Sequence, residues 1–172
     1  MPIREILKYG SPVLHAPSVP VENIDQHLVS LVDDMVATMY AAPGIGLAAP
    51  QIGVPLRVIV IDLSVGEDKG QLIKLVNPVL VEKEGEQRHD EGCLSVPSYY
   101  ASPVRPQRVT VKGLDLDGKE RVYTATELLA RAFCHEIDHV DGVLFVDRLS
   151  PLKRDLLKRK LRKRVKNDDW EE

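Results

Sequence analysis

Between positions 24 and 41 apolar residues recur at helical spacing, Leu28, Leu31, Val32, Met35 and Met39, with Asp33 and Asp34 between them. This predicts an amphipathic helix, ended by Pro43 and Gly44. The middle of the chain changes to short apolar runs: Leu56 to Leu63, Leu72 to Val76, Val79 to Lys83, and the pair Val109 to Leu114 and Arg121 to Tyr123 around Asp117-Gly118. These runs predict strands, the last two joined by a hairpin-type turn. Thr124 and Glu127 have the spacing of a capping box, which predicts a helix over about 125–141 closed by Gly142. Ser150 followed by Pro151 opens another helix, reaching roughly Val165. Many short strands without a helix between each pair favour an α+β fold over a parallel βαβ sheet. The expected architecture is antiparallel or mixed sheets of short strands around the 125–141 helix, with a basic C-terminal helix.

A length of 172 residues suits one domain spanning 1–172 with a real core. No uninterrupted apolar run is long enough to cross a bilayer, and none follows the basic residue near the start, so a soluble, cytoplasmic protein without a membrane partner is expected. Cys93 and Cys134 each lie beside other ligand-type residues, which favours metal or catalytic roles in a reducing compartment over a disulfide. The net charge of −3 hides an asymmetry: nine Lys/Arg against Asp155 give the 151–166 segment +8 and leave about −11 elsewhere. Such a distribution speaks of partners, not of fold.

The sharpest chemical signal is HEIDH, His135 to His139. On a helix, positions i and i+4 share a face, so both imidazoles can bind one ion while Glu136 works on its water. A hydrolytic centre takes three protein ligands and keeps one place open, so a third must be found. Cys93, in the Gly-containing segment EGCLS, is the best candidate; Cys134, His89 and Asp138 compete, although Cys134 points about 100° away from His135 on the helix and suits the core. A third segment, GIGLAAPQ from Gly44 to Gln51, loosely imitates a dinucleotide fingerprint. A helix precedes it and a strand follows, the reverse of the required order, so the nucleotide reading is excluded. Taken alone it reads as a turn, though its glycines allow close backbone approach and a Gln amide can donate to a developing oxyanion.

In this order and spacing, GIGLAAPQ, EGCLS and HEIDH resemble the three signature motifs of peptide deformylases. The resemblance implies a compact α+β hydrolase that removes the N-formyl group from the initiator formylmethionine of nascent proteins and releases formate. It implies metal ligation by Cys93, His135 and His139, with Fe2+ the usual native ion; Zn2+, Ni2+ or Co2+ would also suit the donors. Glu136 is then the acid/base, and Gln51 with the backbone N–H of Leu94 stabilises the oxyanion. Gly44, Ile45 and Gly46 line a tight formyl site, and Leu128 and Ala132 floor an apolar pocket for methionine. Glu91 would support the metal loop by pairing with Arg105. Many family members carry an arginine after EGCLS where this chain has Tyr99 and Tyr100, and Arg131 is a candidate to replace it near the peptide. The basic helix suggests a tether to the ribosome. Two other classes compete: a zinc peptidase, which generally takes its third ligand downstream, and a ribosome- or RNA-binding protein, whose structural metal would need a fourth ligand.

Overall fold

The computed structural model describes residues 2–170; Met1, Glu171 and Glu172, at the ends of the expected 1–172 domain, lie outside them. Among the described residues three α-helices, α1 (Gln26–Ala41), α2 (Glu127–Val140) and α3 (Pro151–Asn167), pack with a five-stranded antiparallel sheet. Its strands are β1 (Gly46–Ala48), β2 (Val58–Ile61), β3 (Ile73–Glu84), β8 (Arg108–Leu114) and β9 (Glu120–Thr126), in that spatial order. Two small pairs complete the set: β4 (Gln87–Arg88) with β7 (Val104–Arg105), and β5 (Glu91–Cys93) with β6 (Val96–Ala101). The arrangement is the α+β class expected, and among the described residues no helix is long and apolar enough to cross a membrane.

Strand β2 explains the layering. All four of its residues are buried because both of its faces are covered. Ile59 and Ile61 point toward Phe133, Ile137 and Val140 of α2, whereas Val58 and Val60 meet Val32, Met35 and Met39 of α1. A central strand buried on both sides gives a continuous apolar run instead of alternation. A third cluster joins Leu14, Val96, Leu144, Phe145 and Val146 to Leu161 of α3.

Several expectations are corrected. The runs Leu72 to Val76 and Val79 to Lys83 form one strand, β3, whose pairing with β8 shifts register between Val76 and Val79. The irregularity comes from Asn77, which adopts a positive φ of 52° and bonds the backbone of Val21 through both ends of its amide. The Thr124–Glu127 capping box does not form: Thr126 is the N-cap, and Glu127 opens α2 with φ 55°. At the other end Gly142 takes the left-handed conformation expected of it, φ 79°. Pro151 starts α3, but Ser150 makes no side-chain cap bond. The stripe Leu152, Leu156, Leu157, Leu161 and Val165 docks only in part. Leu161 is fully buried and Leu157 half-buried, whereas Leu152 is 71% exposed.

Candidate metal centre and its cavity

Helix α2 is amphipathic along its sheet-facing side, and the geometry of a helix places His135 and His139 one turn apart on a common face. The short β5–β6 hairpin carries Cys93 to the same place. The ligand atoms of Cys93, His135 and His139 lie within 4.8 Å of one another. His139 Nε2 stands 3.2 Å from His135 Nε2 and 3.3 Å from Cys93 Sγ. Such separations resemble the edges of a tetrahedron around an ion bonded at about 2.0–2.3 Å, so the donor set fits a divalent metal.

Surrounding groups set the orientation of the donors. Glu91 Oε1 accepts from His135 Nδ1 at 2.9 Å, which leaves His135 Nε2 directed at the cluster. Burial alone would raise the Glu91 carboxyl, but the hydrogen bonds and charges of Arg105 and His135 hold it down at about 2. Arg105 grips both oxygens of Glu91, at 2.8 and 2.9 Å, and reaches Asp138 Oδ2 at 2.7 Å. Asp138, a competing ligand in the sequence, is instead occupied by Arg105 and Arg148. The other competitors are also accounted for. Cys134 is buried, which pushes its thiol up to about 11, and His89 is exposed.

Glu136 is buried beside the cluster, and its Oε1 has no hydrogen-bond partner among the described residues. Burial, reinforced by the Glu91 charge and opposed by His135, pushes this carboxyl up to about 7. A carboxyl poised near neutrality can accept and return a proton. Gly46 makes room for it: a Cβ there would lie 2.9 Å from Glu136 Cδ. Gln51 is fixed at both ends, since its Oε1 accepts from Ala48 N–H at 3.0 Å and its Nε2 donates to Ser95 Oγ at 3.1 Å. That Nε2 also faces Cys93 Sγ at a long 3.7 Å.

These groups open into a cavity of about 430 Å³. Gly44, Ile45, Gly46, Gln51, Glu91 and Leu94 line it together with Cys93, His135 and Glu136. Leu128 and Ala132 contribute from α2, so of the site residues that the family resemblance implied Arg105 and His139 alone are absent from the lining; both are buried. Tyr99, Tyr100 and Arg131 also reach the cavity. Sequence reading did not find Ser95, the pairing of Asp138 with Arg148, or Gln87, which bonds Arg131 at 2.7 Å. Only Asp138, three residues after His135, left any local signal.

The family model described as polypeptide deformylase matches residues 3–155. The chain is 51% identical to a peptide deformylase of Acidobacterium capsulatum over 170 residues, covering 99% of this chain and 100% of that one. It is 50% identical to a crystal structure of a peptide deformylase from Legionella pneumophila, with a TM-score of 0.88 and coverage of 97% and 98%. A structure from Synechococcus elongatus, described as in complex with actinonin, is 39% identical with a TM-score of 0.86, covering 93% of this chain and 89% of that one.

Proposed function

This chain belongs to the polypeptide deformylase family, hydrolases that remove N-formyl groups from nascent peptides, and on that premise we propose how its own residues divide the work. Cys93, His135 and His139 hold one divalent ion, natively Fe2+. When bound, the ion supplies Lewis acidity that makes water a nucleophile near neutral pH. Glu136 takes the proton of the attacking water and passes it to the leaving amine. Gln51 turns its long, weak Sγ-directed N–H toward the developing oxyanion, and the Leu94 backbone N–H shares that charge. Gly44, Ile45 and Gly46 present backbone at the open edge of the five-stranded sheet, where β1 pairs only with β2, so an extended substrate can lie along it. Leu128 and Ala132 floor the methionine pocket, and Arg105 holds Glu91, which holds His135. Neither Cys93 nor Cys134 forms a disulfide, in keeping with the cytoplasm we propose as its place of work. The cations of α3 tether the enzyme to ribosomal phosphate; Arg159, Arg162, Lys163 and Lys166 line one depression on it.

The observation that carries this reading is the convergence of three donor atoms beside a buried carboxyl with an unpartnered oxygen. Formyl-Met-Ala-Ser should be hydrolysed with release of formate, and the acetylated peptide left intact. Glu136→Gln should keep its metal and lose about 100-fold or more in kcat, whereas Cys93→Ser should lose metal by elemental analysis. Equal turnover of formyl and acetyl peptides, or a fully active metal-loaded Glu136→Gln, would overturn the assignment.

A further inference from the structure

Leu128, Arg131, Ala132 and His135 follow at positions i, i+3, i+4 and i+7 of α2, and all four line the cavity. Arg131 precedes His135 by four residues, about 6 Å along the helix axis. Its protein partner is neutral. Nη1 donates to Gln87 Oε1 at 2.7 Å, and among the described residues no carboxylate pairs with it. A guanidinium at an apolar pocket gains most from an acceptor that carries charge.

Gln87 is built into its position. It is buried, and its Nε2 donates to the backbone carbonyls of Pro106 at 2.9 Å and Glu127 at 3.0 Å. Carbonyl oxygens only accept, so the amide cannot be reversed and Oε1 must face Arg131. One guanidinium nitrogen is thereby anchored, and the remaining donors are left for a ligand. The Arg131 backbone stands one helical turn, about 6 Å, from that of His135, and an extended peptide advances about 3.3 Å per residue, so the long Arg131 side chain can reach the residues just after the formylmethionine.

We propose that Arg131 is a specificity-determining residue that favours formylated peptides with a carboxylate side chain just downstream of methionine, and that Gln87 is its positioning residue. The proposal rests on the deformylase reading of the site. Its test uses the metal-loaded enzyme with formyl-Met-X-Ser and formyl-Met-Ala-X, where X is Glu, Gln or Lys. Wild type should prefer Glu over Lys by about threefold to tenfold in kcat/KM at one or both positions. The preference should reside in KM and shrink as salt rises. Arg131→Met should erase it, Arg131→Glu invert it, and Arg131→Lys retain part of it. Gln87→Leu, which keeps the charge but frees the side chain, should weaken it. A Glu-to-Lys ratio equal in wild type, Arg131→Met and Arg131→Glu overturns the proposal while leaving deformylation intact. Failure of the wild type to hydrolyse any formyl peptide would instead remove the reading beneath it.

Discussion

At Gly46 the absence of a side chain bears directly on the proposed role of Glu136, because a methyl group there would press into its carboxylate. If Glu136 is the proton carrier proposed above, Gly46→Ala should displace it by a fraction of an ångström to about 1 Å and lower kcat/KM by about 100-fold. Metal content and thermal midpoint should stay near wild type; activity within a factor of two would show that the carboxylate has another place to sit. Asp62 provides a contrasting carboxyl, fully buried and outside the cavity lining. Burial would raise it, but the Tyr40 hydroxyl, Ser64 and the Gly66 N–H hold it below its ordinary 3.8. A depressed folded-state pKa contributes stability above the ordinary carboxylate range and loses it as pH falls through the folded value. Wild type should accordingly exceed Asp62→Asn in thermal midpoint at neutral pH, with the gap closing below about pH 4; a gap independent of pH would refute the role of its charge. At this scale HEIDH was legible because helical spacing is local. Gln87 and Ser95 were not, since their partners lie 44 positions away in the chain.

Among the elements, α2 is held at its working end by ion pairs, where one guanidinium ties two segments together. Arg105 of β7 binds Glu91 of β5 and Asp138 of α2, and Arg148 adds a second hold on Asp138. Arg105→Met keeps much of the volume but leaves two buried carboxylates with fewer partners, so unfolding free energy should fall by about 3–5 kcal/mol. Urea denaturation of the metal-free forms isolates this effect from ligand binding, and a loss below about 1 kcal/mol would mean that Arg148 suffices. The periodicities located α1, α2 and β8–β9 because each is long enough to show its period. The two-residue and three-residue strands β4, β5 and β7 were invisible, having no period to show. The break at Asn77-Pro78 read as an end of strand, whereas the side chain of Asn77 satisfies Val21 and lets β3 continue past it.

For the molecule as a whole, the unequal charge and the partial docking of α3 belong together. Leu161 is the residue of α3 that is fully buried, so the helix touches the body along a narrow line and turns most of its cations to solvent. Among the described residues Arg154 pairs with Asp155 and Lys158 with Asp147. A helix needed only to close the core would present Leu152 and Leu156 inward, yet they are 71% and 49% exposed. Exposed leucines among cations suit a surface that combines phosphate with apolar contact, and the ribosome is the phosphate-rich body from which the substrate emerges. Reversing Arg159, Arg162, Lys163 and Lys166 to Glu spares Leu161 and the ion pairs, so folding and kcat/KM on free formyl-Met-Ala-Ser should hold within about twofold. Co-sedimentation of the wild type with ribosomes should fall steeply between about 50 and 200 mM salt, and that of the reversed variant should be weak throughout. Equal co-sedimentation of the two proteins at low salt would eliminate the tether, leaving α3 as a solvated helix whose charge offsets an acidic body.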